Sequence, residues 1–210
     1  MARAVARVTD RVAARIVRAD PAFTPVVLAA GPLALQEPQE DAFGALIRAI
    51  VFQQLAGSAA NAIHGRVMAL FDGGVPTPAA LLALEPGRLR GAGLSANKER
   101  ALIDLAERFS DGTVPVHDLD TLTDDEVVGR LTQVRGIGRW TAEMFLMFQL
   151  HRPDVWPVDD LGVRSGWARI HKLATPPTAK ELAPLGEAFR PHRSAVAWYC
   201  WRAVSTVLPD

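Results

Sequence analysis

Apolar residues recur along most of this chain at spacings of three and four, and almost nowhere at two, which confines it to helical architectures. Met1 to Arg18 carries Val5, Val8, Val12 and Ile16 on one stripe and Arg3, Arg7, Arg11 and Arg15 on another, an amphipathic helix with a solvated basic face. Asp10 interrupts the basic stripe and serine is absent, so a transit peptide is the weaker reading. Pro21, Pro25, Pro32 and Pro38 predict an irregular connector, with a weak strand signal at Phe23 to Leu28. Helical patterns follow at Asp41–Gln54, Ser58–Phe71, Thr77–Leu84, Ser95–Phe109, Thr123–Thr132, Arg139–Leu150, Asp159–Ile170 and His192–Val207. Thr123 to Glu126 and Thr178 to Glu181 each read as a capping box. The predicted class is all-α, without solenoid repeats.

A chain of 210 residues can bury one full core or two small interlocked lobes, and 49% apolar against 22% charged residues is ordinary globular usage. A single cysteine, Cys200, excludes a disulfide framework, a Cys-type zinc site and a four-cysteine iron–sulfur cluster, and it points to a reducing compartment. No apolar run approaches the roughly 20 residues of a spanning helix, so a soluble intracellular protein with no membrane partner is expected. The formal charge of zero hides a dipole. Gly129 to Arg202 holds eleven Lys or Arg against six Asp or Glu, net +5, which leaves −5 on the rest. All five tryptophans and the only tyrosine fall between Trp140 and Trp201. A basic segment interleaved with aromatics suits nucleic acid, although tryptophans packed against arginine stems give the same composition.

The most informative stretch is Leu131-Thr-Gln-Val-Arg-Gly-Ile-Gly-Arg-Trp-Thr-Ala142: a helix end, two glycines around one apolar residue, then a strongly apolar helix. Gly136 and Gly138 permit positive φ and close backbone approach, and Ile137 can anchor the turn in a core. The N–H groups opening the next helix then form an anion site that fits a DNA phosphate. Taken alone, the pattern is more often that of an ordinary tight turn between helices. Val155-Trp-Pro-Val-Asp-Asp-Leu-Gly162 supplies context, because it sets two adjacent carboxylates at a helix start. A carboxylate there is a poor proton donor and a good partner for a developing cation. Asp159 is expected to be the N-cap, which would leave Asp160 in the first turn without a structural duty.

With these pieces the chain resembles the helix-hairpin-helix/Gly-Pro-Asp DNA glycosylase superfamily, specifically its 3-methyladenine DNA glycosylase II branch. The resemblance runs from about Ala42 to Leu208 and rests on Ile50-Val-Phe-Gln-Gln-Leu-Ala-Gly-Ser-Ala-Ala-Asn61, Gly93-Leu-Ser-Ala-Asn-Lys98, Val134 to Ala142, Pro157-Val-Asp-Asp160, Pro191-His-Arg-Ser194 and Trp201. It implies two helical lobes with a cleft between them and the helix-hairpin-helix motif at the cleft. One lobe would span residues 42–152, and the other would join 1–41 to 153–210.

The resemblance also implies roles. An enzyme acting on a base within a duplex must rotate the nucleotide out and fill the gap, and the family's wedge positions match Gln54 and Leu94. For Leu94 a buried helix-entry residue is an equal alternative. Asp160 matches the catalytic carboxylate that would stabilise oxocarbenium character on the sugar. Gly136, Ile137, Gly138, Arg139 and Thr141 match the phosphate-binding hairpin, and Trp140 and Trp201 match aromatic positions around the base pocket. A base alkylated at purine N3 or N7 is cationic and favours an electron-rich aromatic face. Trp156, Trp167 and Trp198 read as core. Leu161 follows Asp160 where some relatives have an aromatic, and His192 stands where a tryptophan can occur.

Relatives that also cut the strand carry a lysine two positions after the second hairpin glycine; here that residue is Trp140, which predicts a monofunctional enzyme leaving an abasic site. Hairpins of this family often hold a monovalent cation, Na⁺ or K⁺, through backbone carbonyls matching Thr132, Val134 and Ile137. No cofactor is required, and the five histidines show no metal-type spacing. The implied partner is double-stranded DNA containing damaged bases, bound by a monomer in the cytoplasm in association with the nucleoid. Two other readings stand beside this one: a catalytically silent helix-hairpin-helix DNA-binding module, and a helical protein in which the turn and the Asp-Asp pair are accidental.

Overall fold

The structure is a computed structural model that describes residues 10–35, 37–71, 75–115 and 118–205. Among these residues every regular element is helical. In chain order the α-helices are α1 (Arg11–Ala19), α2 (Thr24–Ala30), α3 (Ala42–Phe52), α4 (Gly57–Met68), α5 (Pro78–Leu82) and α6 (Arg88–Gly91). They continue with α7 (Ala96–Ser110), α8 (Asp124–Leu131), α9 (Arg139–Phe148), α10 (Leu161–Ile170), α11 (Ala179–Leu185) and α12 (Arg193–Ser205). None of them is long and apolar enough to cross a membrane.

Side-chain caps set most of the helix starts. Asp41 accepts from the Gly44 N–H at 2.8 Å to open α3, and Thr77 accepts from Ala80 at 3.1 Å to open α5, with Pro78 in the first turn. Both capping boxes form: Thr123 with Glu126 opens α8, and Thr178 with Glu181 opens α11. Such caps contribute about 1 kcal/mol each. Asp10, inside the helix expected from Met1, is itself the N-cap of α1, accepting from Val12 at 2.7 Å; residues 1–9 lie outside the described residues.

The strand signal at Phe23 to Leu28 is corrected. A 3₁₀ turn, Pro21–Phe23, leads directly into α2. Asp20 caps that turn through the Ala22 N–H, and Pro21 and Pro25 sit where a helix has no use for a proline N–H. Val26 and Val27 mimic a strand in composition but are buried on one side of a helix.

The chain forms two compact units, one made of Met1–Gln36 with His151–Asp210, the other of Glu37–Leu150. In the continuous unit, Leu46, Ile47 and Ile50 of α3 and Leu102 and Leu105 of α7 are fully buried. So are Leu131 at the end of α8 and Leu146 and Met147 of α9, and Phe43 packs edge-on against Phe109 at 5.1 Å.

In the discontinuous unit, long-range hydrogen bonds join the two chain segments. The Tyr199 hydroxyl donates to the Gly31 carbonyl at 3.0 Å, His171 Nε2 lies 2.7 Å from Asp20 Oδ2, and Arg15 Nη2 donates to the Arg190 carbonyl at 3.3 Å. Phe23 lies edge-on to Trp167 at 5.8 Å and to Phe189 at 5.5 Å, an aromatic core to which Trp156 adds. Trp156 and Trp167 are buried as expected, whereas Trp198 is half-buried, with the Arg202 guanidinium 5.6 Å from its ring.

Helix α10 crosses α12 at Gly166, where an added Cβ would fall onto the Cys200 carbonyl. Backbone cannot swing aside as a side chain can, so Gly166→Ala should cost about 3 kcal/mol, the upper end for overpacking. A lowered urea midpoint with an unchanged m-value is the expected observation.

Candidate nucleic-acid interface and carboxylate site

In the continuous unit, α8 and α9 are joined by a hairpin folded on two buried anchors, Val134 and Ile137. The Ile137 N–H donates to the Val134 carbonyl at 3.1 Å, and Gly136 between them has φ +79°, a conformation that side-chain-bearing residues rarely adopt. Helix α7 braces the turn from below. Asp104 Oδ2 accepts from the Arg135 N–H at 2.6 Å and from Arg108 Nε at 3.2 Å.

Helix α9 begins at Gly138, which has no side chain with which to cap the first-turn N–H groups. Those groups are donors of the kind that bind anions. Arg139 is exposed and ion-paired to the buried Glu143 at 3.0 Å, Trp140 is 46% exposed, and Thr141 is buried. A cation, an aromatic face and backbone N–H groups are thus displayed within one helical turn.

Two further turns belong to the same unit. Gln54 is exposed at φ +56°, just beyond α3. Leu94 is only 3% exposed, so its side chain is a core residue at the entry to α7 and not a displayed wedge. The reason is local. Arg66 Nε donates to the Ala92 carbonyl at 2.9 Å and Arg90 Nη1 to the Leu94 carbonyl at 2.6 Å, which fixes the Gly93 turn (φ +103°) with Leu94 facing inward.

The carboxylate belongs to the discontinuous unit. Asp160, and not Asp159, is the N-cap of α10, which corrects the sequence expectation. The Asp160 N–H donates to the Pro157 carbonyl at 3.0 Å, so a turn persists through Asp159 and helical geometry starts one residue late. Asp159 is left exposed. Asp160 Oδ1 accepts from the Val163 N–H at 2.7 Å and from the Trp201 indole N–H at 2.9 Å, and the residue is 9% exposed. Gly162 makes room for this pair: a Cβ there would stand 2.8 Å from Trp201 Cδ1 and 3.0 Å from Asp160 Oδ1. The neighbouring Leu161 is 65% exposed.

The segment leading to Asp160 is tightly held. Ser194 Oγ donates to the Arg152 carbonyl at 2.6 Å and accepts from the Val155 N–H at 2.9 Å, and the Trp156 indole donates to the Leu182 carbonyl at 3.1 Å. Arg193 grips Asp154 through Nε at 2.8 Å and Nη2 at 3.0 Å, with Arg190 Nη1 on the same carboxylate at 2.7 Å. Cys200 lies fully buried beneath, and burial pushes its thiol up, out of the range of nucleophilic use.

Sequence reasoning missed Gly162, Asp104 and the duties of Lys98, whose ammonium reaches two carbonyls at the end of α3. A glycine at the second position of a helix was the available signal for Gly162. Nothing local signals Asp104, because its hairpin partner lies 31 residues away.

Residues 47–191 match the family described as HhH-GPD superfamily base excision DNA repair protein, and the chain belongs to that superfamily. It is 40% identical over 169 residues to DNA-3-methyladenine glycosylase 1 of Schizosaccharomyces pombe, an alignment covering 80% of this chain and 72% of that protein. The solved structure of the Schizosaccharomyces pombe 3-methyladenine DNA glycosylase Mag1 in complex with abasic DNA superposes with a TM-score of 0.84 at 34% identity, covering 94% of this chain and 98% of that one. A DNA-3-methyladenine glycosidase from Bacillus halodurans superposes with a TM-score of 0.86 at 32% identity, covering 94% and 91%.

The Asp154 network gives the segment before Asp160 a pH dependence. Burial opposes ionisation of Asp154, but the Arg193 hydrogen bonds and the charges of Arg193 and Arg190 outweigh it and hold the carboxyl below its ordinary value of 3.8. A depressed native value means stability present above the ordinary carboxylate range and lost as pH falls through the native value. Tm should therefore fall below about pH 4, and Asp154→Asn should flatten that acid limb while lowering Tm at pH 7.

Proposed function

We propose that this protein is a monofunctional DNA N-glycosylase that flips out alkylated purines of the 3-methyladenine and 7-methylguanine type and hydrolyses the N-glycosidic bond, leaving an abasic site. The observation that carries the reading is the Asp160 carboxylate, fixed at the start of α10 by a backbone N–H and an indole N–H, in a chain of a base excision repair family. The relatives named for 3-methyladenine support the substrate class.

In the mechanism, the Gly136-Ile137-Gly138 turn and the first N–H groups of α9 grip a strand phosphate, with the Arg139 charge and the Thr141 position beside them. Gln54, exposed in its turn, fills the gap left by the everted nucleotide, and the buried Leu94 takes no part. Trp140 and Trp201 offer aromatic faces to a cationic base, which is also the better leaving group. As the glycosidic bond lengthens, positive charge develops on the sugar and Asp160 stabilises it, orienting water for attack on the anomeric carbon. With Trp140 where a Schiff-base lysine would stand, the hairpin holds no amine nucleophile, so the sugar–phosphate strand stays intact.

The carbonyl oxygens of Thr132, Val134 and Ile137 are a hard, neutral donor set that suits Na⁺ or K⁺, and a cation there would strengthen the phosphate grip. The enzyme acts on duplex DNA as a monomer, in the cytoplasm with the nucleoid.

Asp160→Asn keeps an equally good cap, so the fold should survive. Excision from methylated oligonucleotides should nonetheless fall about 100-fold or more, the usual loss for a preorganised electrostatic group. The assay is single-turnover base release with and without alkali. Full activity in the variant would overturn the role of Asp160, and strand scission without alkali the monofunctional assignment. A wild-type chain that binds DNA yet releases no base would leave the silent DNA-binding module standing.

A further inference from the structure

Lys98 is electrostatically misplaced in its own helix. It is the third residue of α7, following the cap Ser95, where the positive end of the helix dipole disfavours a cation. It is also partly buried, and burial pushes its ammonium below the ordinary lysine value. The compensation comes from elsewhere in the chain. Lys98 Nζ donates to the Val51 and Gln53 carbonyls, each at 2.7 Å, so it caps the C-terminus of α3, where carbonyls lack intrahelical partners.

The end of α3 is strained. Gln53 leaves the helix at ψ 131°, and Gln54 takes φ +56°, a left-handed conformation unfavourable for a side-chain-bearing residue. Leu55 closes the turn on the Phe52 carbonyl at 3.3 Å. While its carbonyl is held by Lys98, Gln53 donates through Nε2 of its side chain to the Gly136 carbonyl at 2.9 Å. That carbonyl lies in the phosphate-binding hairpin, 83 residues along the chain.

We propose that Lys98 and Gln53 are positioning residues that couple the Gln54 turn to the Gly136 hairpin, so that insertion of Gln54 into the duplex occurs in register with the grip on the phosphate. Lys98 fixes the strained turn from one side and Gln53 ties it to the hairpin on the other. Neither side chain touches the reacting atoms. The coupling rests on the glycosylase reading above and deepens it, because it assigns base eversion a mechanical frame lying wholly within residues 51–136.

The test compares two substrates carrying the same alkylated purine, one fully paired and one opposite an abasic site, where the base is already unstacked and eversion costs less. Lys98→Met keeps the length of the side chain without its donors, and Gln53→Met cuts only the tie to the hairpin. Single-turnover excision from the paired duplex should fall about 10–100-fold for Lys98→Met, the scale of a misplacement of about 1 Å, with a smaller loss for Gln53→Met. Much of that loss should return on the unstacked substrate. Affinity for undamaged duplex should stay within about twofold, since the phosphate contacts that dominate it are unchanged. Fluorescence of a 2-aminopurine beside the lesion should show slower eversion in both variants. Equal losses on the two substrates, or normal eversion, would overturn the coupling. Should Lys98→Met fail to fold, Gln53→Met carries the same comparison. A wild type that releases no base from either substrate removes the function reading, whereas an active wild type with uniform losses in the variants removes the coupling alone.

Discussion

Two glycines one turn apart on α10, Gly162 and Gly166, govern the discontinuous unit. Gly166 lets the helix backbone meet the Cys200 carbonyl, and Gly162 lets the Trp201 indole lie against the first turn. Helices packed through ordinary side chains keep axes about 8–10 Å apart, and a side chain at Gly162 would occupy the space that the Trp201 ring and Asp160 share. Here the absence of side chains on one face of α10 brings the Trp201 N–H to Asp160 Oδ1. The carboxylate is thereby given one backbone donor and one side-chain donor on the same oxygen, and its direction follows from the crossing. Ser194, Trp156 and the Arg193–Asp154 pair then hold the incoming segment to the same scaffold.

The continuous unit solves a different problem, that of displaying polar backbone without losing it to solvent disorder. Its hairpin is pinned by Val134 and Ile137 in the core and by Asp104 from α7, which leaves the exposed backbone between them little freedom. Gly138 at the start of α9 offers no side-chain cap, and N–H groups in a helix's first turn are donors of the kind that bind anions. A net charge of zero is compatible with a DNA partner, since local donors and charges can outweigh the global sum.

Much of this was legible in the sequence because the signals are local. Thr77-Pro78, the Thr123 and Thr178 boxes and the Gly136-Ile137-Gly138 turn each act within four or five residues, and each forms as its pattern implies. What stayed hidden depends on distant partners. Asp159 and Asp160 look interchangeable as caps until the turn at Pro157 is known, and the second donor to Asp160 comes from 41 residues downstream. Leu94 sits in a turn whose direction is set by Arg66, far back in α4. Val26 and Val27 read as a strand because β-branched residues resemble one in composition, while the decision belonged to Asp20 and Pro25 in front of them.

The order of segments carries a consequence for synthesis on the ribosome. Glu37–Leu150 is continuous and can close as soon as it emerges, whereas Ile16, Val17 and Phe23 must wait for partners that begin at His151. With nascent chains lengthening at about 5–20 residues per second, that apolar N-terminal stretch lacks those partners for several seconds. The Arg15–Arg190 hydrogen bond becomes available once Arg190 is made, and the Tyr199–Gly31 and Trp201–Asp160 bonds only with α12, so the surroundings of Asp160 are completed last, after the hairpin between α8 and α9 has formed.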